Sequence, residues 1–148
     1  MSEDAVSAAP ATPWHLWAVG IVGLLWNAFG AYDYLMTQTE NAAYMARFTA
    51  EQLEYFYGFP TWVVALWAIA VWGGVLGCIL LLLRKRLAAP VFLVSLVCMI
   101  LTSIYNFALS EGLELMGGTA AAFTVVIFLF ALGLWLYARA MAQRGILT

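Results

Sequence analysis

Long apolar runs alternate with short polar breaks along this chain. The runs extend from about Trp14 to Leu35, Thr61 to Leu83, Ala88 to Ser110 and Gly117 to Ala138. Each is longer than the stretch of about 18 residues that marks a membrane-crossing helix. A transmembrane β-barrel would show segments of about 10 residues alternating apolar and polar, and these runs are continuously apolar instead. Only helices then satisfy every backbone group within the hydrocarbon. The pattern predicts an all-α membrane protein: a four-transmembrane-helix bundle.

The breaks refine this picture. Pro13 and Pro60 open the first and second spans, and Pro90 sits in the first turn of the third, a position where proline's missing N–H does no harm. Arg84, Lys85 and Arg86 close the second span, and Arg139 and Arg144 follow the fourth. These five basic residues flank one side and only Arg47 the other, so the positive-inside rule puts both termini in the cytoplasm. The expected layout is a disordered N-terminal tail over 1–12, a transmembrane domain over 13–140 with an external loop over 36–60, and a cytoplasmic C-terminal tail over 141–148. Within the loop, Thr37 with Glu40 and Thr49 with Gln52 match the capping-box pattern that starts a helix. The second would set Leu53, Phe56 and Tyr57 against Glu51 and Glu54, which predicts a short amphipathic helical cap at the membrane surface.

Composition agrees. The chain has 148 residues, 66% hydrophobic and 9% charged, against about a quarter charged in soluble domains. A net charge of -2 with so few basic residues implies no nucleic-acid partner. Cys78 and Cys98 lack C-x-x-C spacing and read as small buried hydrophobes. Glu3 and Asp4 precede the first span without any Lys or Arg, so the basic region of a signal peptide is missing and the span is expected to stay in the mature protein. With His15 as the sole histidine, a bis-histidine haem or multi-histidine metal centre is excluded. No nucleophile elbow, phosphate-binding loop or zinc-hydrolase motif occurs, so no enzyme activity and no cofactor are expected.

Candidate chemistry rests on polar residues within the spans. Gly20, Gly23, Asn27, Gly30 and Tyr34 share one helix face, which is expected to point inward. Gly73 and Gly77 form a G-x-x-x-G surface suited to tight packing or dimerisation. Ser95, Cys98, Thr102 and Asn106 make a weakly polar stripe on the third span. Trp26, Asn27, Trp67, Tyr105, Asn106 and Thr124 lie at broadly similar depth, one layer fed by four helices. Such amides act either as interhelical glue or as the lining of a polar cavity. As a cavity, amides beside aromatic planes suit a neutral, hydroxyl-rich ligand. Asp33, near the end of the first span, is open to proton coupling or to simple hydration at the interface. Trp72, in mid-span, calls for packing or cavity lining. Trp26-Asn27-Ala28-Phe29 faintly echoes Tyr105-Asn106-Phe107-Ala108, a hint of hairpin duplication.

Pro13-Trp14-His15-Leu16-Trp17, then Trp26-Asn27 with Tyr32-Asp33-Tyr34, and the stretch from Phe48 through Gln52 to Phe59-Pro60 resemble a family of small proteobacterial membrane proteins often labelled sugar transporters. The resemblance covers most of the chain and implies a multi-pass protein of the bacterial inner membrane. It carries over no agreed binding residues. The glutamate expected in the first helix of small multidrug-resistance transporters is missing. So are the paired cysteines of the quinone-linked disulfide enzymes. The sequence thus points to passage or binding of a small neutral solute such as a sugar, with ligand contacts from Asn27, Asn106, Trp26, Trp67, Tyr105, Thr124 and Asp33. Four helices are cramped for alternating access, so a homo-oligomer is expected. The alternative is a non-transporting accessory or structural subunit of a larger membrane complex.

Overall fold

Helix α1 covers Trp14–Gln38 and starts from Pro13, whose extended backbone accepts the first turn's bond from the Leu16 N–H at 3.1 Å. The computed structural model describes residues 10–148, so the expected N-terminal tail lies outside the described residues except for Pro10, Ala11 and Thr12. After α1 come two short helices, α2 (Ala42–Met45) and α3 (Ala50–Tyr57), then α4 (Thr61–Leu82) and α5 (Ala88–Ile104). A π-helical turn, Tyr105–Leu109, extends α5, and α6 runs over Gly112–Gln143. Four of these elements are long and apolar enough to cross a membrane, with α5 counted through Leu109. At about 1.5 Å per residue, even the 22-residue α4 spans the roughly 30 Å of a bilayer's hydrocarbon core. The chain is a multi-pass, all-helical membrane protein.

The connections show why the helices stop where they do. Glu40 and Arg84 both take left-handed backbone, at φ 52° and 57°. Each turns the chain out of a helix while the following N–H bonds back to a free carbonyl, Asn41 to Met36 at 3.0 Å and Lys85 to Leu80 at 2.9 Å. The capping box at Thr49 forms: its Oγ1 accepts from the Gln52 N–H at 3.2 Å, and its own N–H donates to Gln52 Oε1 at 3.0 Å. The box expected at Thr37 and Glu40 does not. The backbone remains helical there, so the Thr37 hydroxyl donates to the Asp33 carbonyl at 2.8 Å, and Asn41 caps α2 instead.

The fourth span also differs from expectation. Its helix begins at Gly112, earlier than the expected Gly117, because the acidic turn around Glu114 is itself helical. Gly117, at φ 81° and ψ 178°, breaks it from the long segment that follows. The far end runs past the expected Ala138 to Gln143. The expected C-terminal tail over 141–148 is therefore partly helix and partly core: Met141, Ile146 and Leu147 are buried, and the Thr148 N–H donates to the Arg84 carbonyl at 2.9 Å.

Packing runs in sequence order, α1 on α4, α4 on α5 and α5 on α6. Small residues allow the close approaches. Gly77 seats the Phe92 ring, which a Cβ would meet at 2.5 Å, and Gly73 seats Ser95 at 3.2 Å. The G-x-x-x-G surface is thus taken up within the chain, against α5. Gly20 meets Leu82, and Gly23 meets Cys78 and Leu134. At the end carrying Arg84, Lys85 and Arg86, called here the basic end, Leu16, Leu81, Phe92 and Ala138 join Ile146 and Leu147 in a closed core. The opposite end is covered by α2 and α3 and is called the cap end. Between α1 and α6 no comparable helix-to-helix packing forms. Trp26 bridges that seam, its ring stacked on Phe130 at 4.9 Å and 6.1 Å from Phe123.

Candidate functional site

The unpacked seam leaves a cavity of about 730 Å³ that runs from the core residue Leu134 towards the cap end, bounded by all four spans. Its size falls in the range of small-molecule sites, about 300–1,000 Å³. Trp26, Asn27, Asp33, Trp67 and Thr124 all line it, so five of the seven expected site residues meet in one place. Asn106 does not join them. It falls in the π-helical turn beneath α3 and lines a neighbouring chamber of about 200 Å³, which shares Asp33, Trp67, Thr102 and Thr124 with the larger one. Tyr105 lines neither chamber and packs edge-on against Phe59 and Trp62, at 5.9 and 5.4 Å.

Most polar groups of the large cavity are already engaged. The Asn27 amide donates to the Gly23 carbonyl at 2.8 Å and lies 3.6 Å from the Cys78 sulfur, while its oxygen presses against Gly74. Ser95 donates to the Ala70 carbonyl across the α4–α5 interface at 2.5 Å. Thr102 and Thr124 donate to the carbonyls one turn back, at 2.8 and 2.9 Å. These hydroxyls keep lone pairs for a ligand, but their protons are taken. The remaining wall is largely apolar, with Val71, Met99, Ile127 and Phe130.

The cap-end mouth is polar. The Tyr44 hydroxyl donates to the Asp33 carboxylate, and Arg47 Nη2 lies 3.8 Å from the same carboxylate oxygen. The Arg47 guanidinium sits over the Tyr44 ring at 4.4 Å and the Phe48 ring at 4.9 Å. Burial, and then the Asp33 hydrogen bond, push the Tyr44 phenol from 10.0 up to about 12, so it is a hydrogen-bond donor throughout the neutral range. The Arg47 and Asp33 side chains are 59% and 39% exposed, so their ion pair adds at most about 1 kcal/mol. Its role is to orient, with α2 tied to the end of α1.

The smaller chamber is anchored from the cap. The Tyr55 hydroxyl donates to Asn106 Oδ1 at 2.7 Å and lies 2.6 Å from Ser110 Oγ, while Gln52 Nε2 donates to the Leu115 carbonyl at 3.0 Å. Burial raises the Tyr55 phenol, which keeps it protonated for this role. Asn106 thus acts as a fastener between α3 and the α5–α6 turn. The proposed echo between Asn27 and Asn106 joins residues in unlike settings, one in mid-helix against Gly74 and one in a π turn under the cap.

Tyr44, Arg47, Gly30, Phe123 and Phe130 belong to the large cavity without having been expected there. Arg47 carried a signal, as the sole basic residue on its side. Trp72 lines no chamber and packs into no core: it is 42% exposed on the outer surface of α4, where lipid would cover it. His15 bonds the Tyr137 hydroxyl at the basic end, away from the cavity. No protein-family model, curated protein or solved structure matches the chain.

Proposed function

We propose that this chain binds a small uncharged molecule in its cap-end cavity, as a carrier or binding protein of the membrane and not as an enzyme. The observation that carries the reading is the cavity itself: about 730 Å³, largely apolar and without net charge at its mouth, where Asp33 and Arg47 offset each other. A close-packed bundle would have no reason to hold such a space open, because helix association in lipid is driven by packing. The hydroxyl-rich sugar suggested by the sequence is less well served, since the Asn27, Ser95, Thr102 and Thr124 protons already go to the protein's own groups. In this reading the basic end faces the cytoplasm of a bacterial cell and the cap faces outward across the inner membrane.

The test is a thermal-shift screen of detergent-solubilised protein against uncharged compounds graded from sugars and polyols to apolar alcohols, run beside Gly30→Leu. A Cβ at Gly30 meets only Val71, at 3.8 Å, so the larger side chain grows into the cavity without disturbing the helix contacts. A ligand present at about 100 times its Kd stabilises the native state by about 2.7 kcal/mol. A shift in the native chain that Gly30→Leu abolishes supports the reading. Equal shifts in both chains refute it.

A second reading has its own support. α6 packs mainly on α5, and Val125, Val126 and Leu129 are exposed along it, a face that another subunit of a larger complex would cover as readily as lipid.

A further inference from the structure

We infer that the cavity's ligand is an amphipathic lipid with one hydrocarbon tail and an uncharged oxygen head, entering sideways from the bilayer between α1 and α6. The inference rests on the reading of the cavity as a ligand site and names the ligand's class and route.

The route follows from which walls are closed. The α1–α4, α4–α5 and α5–α6 seams are packed helix to helix, the basic end is sealed by the core around Leu16 and Ala138, and the cap end, under α2 and α3, opens only through the polar mouth at Asp33 and Arg47. Of the four seams only α1–α6 lacks that packing, and it is crossed by side chains alone, the Trp26 ring against Phe130 and Phe123. Phe29 on α1 and Phe123 on α6 stand on either side of it, and both line the cavity while being 69% and 55% exposed. A side chain that touches both the interior and the outer surface marks an opening, and this opening lies within the apolar spans. What meets it there is lipid.

Dimensions and chemistry fit a single tail. On α6 the lining extends from Phe123 to Leu134, a rise of about 16 Å along a helix. That is close to one leaflet's share of a hydrocarbon core of about 30 Å. Met99, Ile127 and Phe130 provide apolar contact along the wall. The polar head would reach the mouth, where Arg47 offers N–H groups not directed at Asp33 and Asp33 retains acceptor capacity beside its bond from Tyr44. A donor and an acceptor of opposite charge side by side suit a hydroxyl or ester carbonyl, which exchanges hydrogen bonds with both and adds no charge.

The experiment is photolabelling in phosphatidylcholine nanodiscs with a monoacylglycerol carrying a diazirine in its tail, with sites mapped by mass spectrometry. Native protein is compared with Gly30→Leu and, from the opposite wall, Ala131→Phe. Labelling of Met99 and Ile127 is expected, falling at least tenfold in both variants, while outward-facing Leu25 and Leu136 label equally in all three and serve as the folding control. Labels confined to outward-facing side chains in the native protein overturn the inference. If that happens while a water-soluble uncharged compound still gives a thermal shift abolished by Gly30→Leu, the cavity remains a ligand site and only the lipid assignment fails. If no compound gives such a shift either, both fall.

Discussion

Placing a methyl group on Gly74 tests the contact that joins α1 to α4 beside the cavity. A Cβ there would overlap the Asn27 side-chain oxygen and lie 2.7 Å from its Cγ, closer than real carbon contacts come. Asn27 must then move, giving up its 2.8 Å bond to the Gly23 carbonyl. Forcing a side chain from a packed position costs about 1–3 kcal/mol, and a side-chain hydrogen bond within one helix contributes about 0.5–1.5 kcal/mol. Gly74→Ala is therefore expected to destabilise by about 2–3 kcal/mol. Asn27→Ala alone forfeits the bond and leaves a small void, about 1–2 kcal/mol. In the double variant the new methyl occupies the space that the amide vacates, so its cost is expected to stay near that of Asn27→Ala. The predicted coupling is about 2–3 kcal/mol in the compensating direction, where independent sites add within about 0.5 kcal/mol. Equilibrium unfolding of all four chains in mixed micelles, titrated with SDS and followed by circular dichroism, measures it. Additive costs would show that Asn27 is not seated on Gly74.

Gly117→Ala places a Cβ in open space, since nothing lies within 4 Å, but at φ 81°. The penalty is backbone strain alone, about 1–3 kcal/mol for a conformation with ψ near 180° that only glycine adopts readily, and a change of a few tenths in the same titration would contradict it. The Tyr44 phenol, raised from 10.0 to about 12, favours the folded protein while it is protonated. That contribution is complete below pH 10 and is lost as pH rises towards about 12. Ultraviolet titration of the native protein against Tyr44→Phe should assign the difference to one phenol ionising near 12, whereas ionisation near 10 would remove the Asp33 bond from the account. Leu147→Ala, at a site only 2% exposed, is expected to destabilise by about 2–5 kcal/mol. A free tail would give no measurable change.

The four spans were legible because long apolar runs admit few alternatives in hydrocarbon, and the inward face of α1 was legible because its small and polar residues recur at helical spacing. Gly23, Asn27 and Tyr34 do face neighbours, Tyr34 against Trp67 at 4.9 Å. What pattern alone missed depended on contacts between distant segments. Ile146 and Leu147 are too short a pair to announce a core, yet the left-handed turn at Arg84 gives them a place to dock. Thr37 and Glu40 carry a capping box's residues, but a cap requires the backbone to leave the helix, and it does so only at Glu40. Counting from span ends puts Asn106 level with Asn27, but neither the π turn nor the docking of Tyr55 on Asn106 shows in residue counts.

The uneven fastening of α6 has a consequence for its dynamics. Its basic-end half is clamped through Leu134, Ala138 and Met141, while its cap-end half leans on α5 and meets α1 through the rings around Trp26. The backbone leading into that half departs from α-helical geometry at Tyr105–Leu109 and again at Gly117. Residues buried in this helix lie towards its two ends, at Gly112 and at Leu134, Ala138 and Met141, so amide protons in the stretch between them are expected to exchange sooner than those of the clamped end.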